Sequence, residues 1–84
     1  MATGTIRYWA AARDAAGCAE EQWSGTTLAD AFESARAARG ELFAAVLARS
    51  SYLVDAVPVG TRPHGSVALR DGAVVEVLPP FAGG

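Results

Sequence analysis

The residues with the most chemical potential close the sequence: Pro79-Pro80-Phe81-Ala82-Gly83-Gly84. A glycine carboxylate has no Cβ beside it, so its backbone can enter a narrow channel and lie close to a nucleotide. The carboxylate itself is a poor electrophile at neutral pH. ATP can turn such a group into an acyl-adenylate, and sulfur can then displace AMP. What remains is a C-terminal thiocarboxylate, an easily ionised nucleophile carried on a protein. Gly84 is the candidate reacting residue, and Pro79, Pro80, Phe81, Ala82 and Gly83 are the candidate docking stem. The four residues from Phe81 to Gly84 reach at most ~14 Å. The two prolines hold the base of that reach extended and reduce the entropy lost on docking. Phe81 has two readings, an anchor in a partner's apolar groove or a side chain packed back onto its own domain.

The rest of the chain offers little competing chemistry. His64 is the only histidine and sits among prolines and glycines, where a solvated ring is expected. Cys18 is the only cysteine, so an internal disulfide is impossible. One histidine and one cysteine give no metal-site spacing, and neither a P-loop nor a Gly-x-Gly-x-x-Gly run is present. Asp55 and Asp71 read as strand-end and turn residues. A complete active site, a resident metal and a tightly bound cofactor are therefore not expected; ATP would be used by an activating partner.

The elements that must position the tail fit a small domain. The 84 residues are 51% hydrophobic and 19% charged, enough for a core, though alanine supplies much of the apolar count. One domain over 1–84 is expected, with 79–84 as an extended tail. The net charge is −2, and the seven Lys/Arg positions are all arginine, scattered without a basic stripe. Nucleic-acid binding is not indicated. No apolar run approaches the ~20 residues of a membrane span. The N-terminus lacks the character of a signal peptide, so a cytoplasmic location is the default expectation.

Gly4 to Ala10 alternates around β-branched and aromatic residues and predicts a strand. Ala11 to Gly17 predicts a connection with a turn of helix closed by Gly17. Ala19 to Trp23 predicts a second strand, with Ala19, Glu21 and Trp23 on one face, forming a long-looped hairpin with the first. Thr27 as N-cap with Asp30 three residues on opens the clearest helix, whose apolar face is Leu28, Ala31, Phe32 and Ala35. Gly40 predicts its C′ residue, after Arg36 and Arg39. A shorter helix over Glu41–Arg49 follows, with Leu42, Phe43, Val46 and Leu47 apolar. Tyr52 to Val59 predicts a strand that Pro58 confines to an edge or ends. Thr61 to Ser66 is a loop, Val67 to Leu69 is short and apolar, and Arg70-Asp71-Gly72 is a turn signal. Ala73 to Leu78 is nearly all apolar and predicts a buried central strand paired with the first. The fold class is α+β, a mixed sheet covered on one face by one main helix.

Three stretches together resemble the MoaD family, the small subunit of molybdopterin synthase. Leu78-Pro79-Pro80-Phe81-Ala82-Gly83-Gly84 is similar to its Pro-Pro-x-x-Gly-Gly ending. Arg7-Tyr8-Trp9-Ala10-Ala11-Ala12-Arg13-Asp14-Ala15-Ala16-Gly17 is similar to its aromatic-aromatic-Ala-x-x-Arg-Glu-x-x-Gly opening. Leu69-Arg70-Asp71-Gly72-Ala73-Val74-Val75-Glu76-Val77 is similar to its Leu-x-Asp-Gly-Asp-x-Val strand entry. The resemblance spans the chain in order and length. It implies a ubiquitin-like β-grasp fold and a sulfur carrier whose Gly84 is adenylated by a MoeB-like, E1-like enzyme using ATP. A rhodanese or cysteine desulfurase would supply the sulfur. The tail would then dock into a MoaE-like large subunit, in a heterotetramer, and give sulfur to the dithiolene of molybdopterin in molybdenum cofactor biosynthesis. Catalytic residues would lie on that large subunit, acting on a cyclic pyranopterin monophosphate. Trp9 and Leu78 match positions that face the partner subunits, and large exposed apolar residues beside a tail suit such an interface.

Two stretches depart from the family. Val54-Asp55-Ala56-Val57-Pro58-Val59 stands where a turn such as Val-Asn-Gly is usual, and the Thr61–Ser66 loop is longer than usual. Other readings of the same tail are a carrier for thiamine thiazole or cysteine synthesis, attachment to lysines of other proteins, and a ubiquitin-like binding module that is never activated.

Overall fold

The computed structural model describes residues 2–80. Its strands are β1 (Ala2–Tyr8), β2 (Glu20–Gly25), β3 (Ser51–Val54), β4 (Val57–Pro58) and β5 (Val74–Leu78). Its helices are α1 (Ala10–Ala16), α2 (Leu28–Ala37) and α3 (Glu41–Arg49). The sheet order is β2-β1-β5-β3-β4. β1 and β5 run parallel in its middle, and the other pairs are antiparallel. The predicted pairing of first and last strands therefore holds, and Pro58 lies on an edge strand, where its missing N–H costs no ladder bond.

Period-two alternation gives the sheet an inner and an outer face. Ile6, Tyr8, Trp23, Tyr52, Val75 and Val77 point inward and are buried. α2 covers them with Leu28, Ala31, Phe32 and Ala35, the face its spacing predicts. The Thr27–Asp30 capping box closes its start: Asp30 N–H donates to Thr27 Oγ1 (3.3 Å) and Thr27 N–H donates to Asp30 Oδ2 (3.1 Å). Donation from Thr26 and Thr27 holds the Asp30 carboxyl below the usual carboxylate range.

Several boundaries differ from the sequence reading. The first strand ends at Tyr8, because Trp9 is the N-cap of α1 and Ala10 is already its first residue. The predicted turn of helix is a seven-residue helix, ended by Gly17 at φ +79° as expected. Gly40 does not close α2. Ala38 is its C-cap in the right-handed region, and Gly40 is the N-cap of α3. Leu42 is 76% exposed, because α3 buries Phe43 and Leu47 instead.

Residues 52–59 are not one strand but the β3–β4 hairpin. Asp55 (φ +49°) and Ala56 (φ +69°) both take the left-handed conformation that a two-residue type I′ turn demands. The turn is tied to the central strand: Asp55 N–H donates to Val74 O and Val74 N–H donates to Asp55 Oδ1, both 2.9 Å.

His64 is only partly solvated. A 3-10 turn over His64–Ser66 directs its half-buried ring edge-on against Phe32 and Tyr52. Burial, and then Arg36, lowers its pKa below the ordinary value. Val67 and Leu69 beside it are buried, and Ala68 bridges to Thr27.

One polar cluster ties the helices to the sheet. Arg39 pairs with Glu21 (2.8 Å), donates to Ala16 O (3.0 Å) and Ala35 O (3.1 Å), and lies over the Phe43 ring. Tyr8 donates its hydroxyl to the same Glu21 carboxylate. Burial first, and then that bond, raises the Tyr8 pKa far above the phenol range, while the bond to Glu21 raises that of Arg39. Cys18 is a half-buried free thiol with Arg39 Nη2 at 3.6 Å.

Candidate functional site

The site is built on the exit of β5. Val75 and Val77 are fully enclosed, and the strand is bonded to β1 on one side and β3 on the other. The last strand residue therefore emerges from the most constrained part of the sheet. Two prolines follow at once, so the ladder stops there. Leu78 and Pro79 are half-buried and Pro80 is exposed.

β1 continues the wall. Trp9 N–H donates to Val77 O at 3.2 Å, extending the parallel ladder one residue past Tyr8. Ala10 then takes φ +48°, a left-handed conformation that costs a non-glycine residue about 1 kcal/mol. This bend starts α1 at an angle and leaves the Trp9 side chain beside the β5 exit rather than in the core. Trp9 is 44% exposed.

Trp9, Ala10, Ala11, Ser51, Leu78, Pro79 and Pro80 line a cleft of about 500 Å³. Ser51 reaches it because it pairs with Leu78 across β3 and β5. The lining carries one hydroxyl and no charge, so the cleft suits an apolar occupant rather than an ion or a nucleotide. Among the described residues, no group of three or more His, Cys, Asp or Glu side chains could hold a metal ion. No helix among them is long and apolar enough to cross a membrane.

Of the residues singled out from the sequence, Trp9, Leu78, Pro79 and Pro80 meet in this one cleft. Phe81, Ala82, Gly83 and Gly84 lie outside the described residues. Sequence reading missed Ala10, Ala11 and Ser51, which enter only through the bend at Ala10 and the β3–β5 register. It also missed Glu76. On the outer face, Val74, Glu76 and Leu78 alternate with the buried Val75 and Val77, and Trp9 Nε1–H donates to Glu76 Oε1 at 3.1 Å. The signal was available, since Glu76 shares a strand face with Leu78 two residues on.

A family model described as the ThiS family matches residues 6–84. Solved structures that share the fold include the following three. The solution structure of small archaeal modifier protein 1 from Methanosarcina acetivorans is 22% identical, covers 100% of this chain and 98% of its own, and superposes with a TM-score of 0.83. A candidate molybdopterin converting factor, subunit 1, from Pyrococcus furiosus is 26% identical over 96% of this chain and 100% of its own, with a TM-score of 0.76. The HVO 2177 protein of Haloferax volcanii is 26% identical over 99% of this chain and 87% of its own, with a TM-score of 0.77. The mixed five-stranded sheet and its helices are thus a ubiquitin-like β-grasp. A search of curated proteins finds no match.

Proposed function

The chain belongs to the ThiS family, and we propose that it serves there as a sulfur carrier, with Gly84 as the residue that is adenylated and converted to a thiocarboxylate. The observation that carries this reading is the apolar cleft of Trp9, Leu78, Pro79 and Pro80 at the root of the Pro-Pro-Phe-Ala-Gly-Gly stem. A rigid strand leads into the stem, and an apolar surface that the described residues leave open beside it would give a partner something to grip.

The division of labour follows. An E1-like, MoeB-like enzyme would spend ATP to form the acyl-adenylate, with loss of pyrophosphate. The persulfide of a sulfur donor, rhodanese or cysteine desulfurase, would then displace AMP to form an acyl disulfide. A second thiol would cleave that bond, releasing the thiocarboxylate and leaving a disulfide on the donor side. The domain over 1–84 is the handle, and residues 79–84 are the delivered stem. Support for the molybdopterin pathway comes from the three sequence stretches and from the Pyrococcus furiosus neighbour, whose name places it with molybdopterin conversion. In that pathway the thiocarboxylate sulfur goes to the dithiolene within a heterotetramer with a MoaE-like large subunit, all of it cytoplasmic.

The test is intact mass after incubation with ATP, a cognate adenylyltransferase, a persulfide sulfur donor and a thiol reductant. The expected product gains the mass difference between sulfur and oxygen. Removing Gly84 is expected to abolish that gain while circular dichroism stays unchanged; sulfuration of the shortened chain would overturn the assignment. Co-purification then decides the pathway: recovery of a thiazole synthase or cysteine synthase, rather than a molybdopterin synthase large subunit, would replace the molybdopterin reading.

A further inference from the structure

We propose that Glu76 is a positioning residue for docking: its carboxylate pins the Trp9 indole across the root of the tail, so that the activating partner meets a preformed apolar wall. This rests on the carrier reading above and adds to it a residue that the tail motif does not contain.

Three observations lead there. Trp9 is 44% exposed, yet its indole N–H is bonded to Glu76 Oε1 at 3.1 Å. Glu76 stands on the outer face of the central strand, where a glutamate is disfavoured on propensity alone. The cross-strand neighbour of Glu76 on β1 is Arg7. Arg7 is paired with Glu20 on β2 instead, at 2.9 Å, so the Glu76 carboxylate is turned to the indole.

The bond solves two difficulties of docking through a tryptophan. A free indole would lose rotamer freedom when a partner covers it, and pinning it beforehand removes that cost. An indole N–H pressed into an apolar groove would also lose its water without replacement. Glu76 supplies the acceptor from within the carrier. On the carrier reading the partner that must engage the tail first is the adenylyltransferase, whose apolar groove then need not provide a hydrogen-bond acceptor for the ring.

The experiment varies carrier concentration in ATP–pyrophosphate exchange by the cognate adenylyltransferase. Glu76→Ala is expected to raise the half-saturating concentration about tenfold, equal to ~1.4 kcal/mol, with an unchanged plateau rate. Glu76→Gln keeps an acceptor oxygen and is expected to stay within about twofold of the parent. In a Trp9→Phe background, which has no donor, Glu76→Ala is expected to add little. A Gln variant as weak as the Ala variant would overturn the proposal, and so would an Ala penalty undiminished in the Phe background.

A partner-free readout separates this from the carrier reading. In nitrogen-15 spectra of the free protein, Glu76→Ala is expected to shift the Trp9 indole N–H and speed its exchange, leaving that of Trp23 in place. An unmoved Trp9 resonance overturns the proposal whatever the enzyme does. A moved resonance with no exchange activity for the parent chain overturns the carrier reading, and the docking role with it, but not the bond.

Discussion

The two ends of β5 are built oppositely. At its entry the chain closes on itself with polar contacts. Gly72 N–H donates to Thr3 O (2.6 Å), Thr3 N–H donates to Asp71 Oδ1 (2.9 Å), and Asp55 exchanges two bonds with Val74. The inner side is sealed by Trp23, whose indole N–H donates to Ala73 O at 2.9 Å. At the exit, Trp9, Leu78 and the two prolines leave an apolar cleft that the described chain does not fill. Both ends use a tryptophan N–H as donor. One tryptophan is buried and bonds to backbone; the other is exposed and bonds to a side chain. The contrast separates a contact that stabilises this domain from the surface that the proposed function assigns to partners, and substitutions at the two ends should separate in the same way.

The largest effect is expected at the entry. A Cβ on Gly4 would lie 2.2 Å from Ala73 O and 2.5 Å from Trp23 Nε1, on top of their hydrogen bond. Gly4→Ala is expected to cost ~3 kcal/mol in urea unfolding, while the folded fraction keeps its affinity for partners. Equal stability for this variant would break the contrast.

At the exit, Trp9→Ala is expected to weaken binding to the adenylyltransferase or large subunit by ~2 kcal/mol, the level of an interface hot spot. The unfolding midpoint should move little, since Trp9 contributes its exposed ring rather than core. Calorimetric titration beside a urea melt measures both quantities. Unchanged binding with lost stability would reverse the roles of the two ends.

A gain is expected in the hairpin that buttresses the entry. Ala56 holds φ +69°, where glycine has no Cβ penalty. Ala56→Gly is expected to stabilise the fold by about 1 kcal/mol, the left-handed cost relieved. A destabilised variant would show that glycine's extra unfolded-state freedom outweighs that relief.

The smallest effect concerns pH and lies away from both ends. His64 has a folded pKa below its ordinary 6.5, through burial and then Arg36. The unfolded chain therefore takes up a proton first as pH falls. The stability linked to the neutral ring is fully present above about pH 6.5 and is lost as pH drops below it. His64→Phe is expected to flatten that part of the stability profile without changing partner affinity at neutral pH.

Much of this was legible along the chain. The α2 face of Leu28, Ala31, Phe32 and Ala35 follows from 3.6-residue spacing, and its start follows from Thr27 and Asp30. Val75 and Val77 announce a central strand because polar residues are scarce around them. The failures share a cause, which is that local signals compete. Gly40 suits a helix end, but it also suits a helix start, and α3 took it. Asp55-Ala56 lacks the glycine that marks a type I′ turn, so no local signal announces the hairpin that the bonds to Val74 hold in place. His64 sits in loop-like sequence, but Phe32 and Tyr52 offered its ring an apolar seat.

By itself, the sequence determined the candidate reacting residue, Gly84, and its candidate stem of two prolines and Phe81, because the chemistry proposed for them can be stated without a fold. It also determined the strands and helices whose periodicity is strong. Only the tertiary structure decided what surrounds the stem. The parallel β1–β5 pairing brings Trp9 to Val77 and Glu76 across nearly seventy positions of sequence, and the β3 register adds Ser51. Such contacts depend on strand register and on one left-handed residue at Ala10. Neither leaves a periodic trace, since both follow from the packing of the whole sheet against its helices.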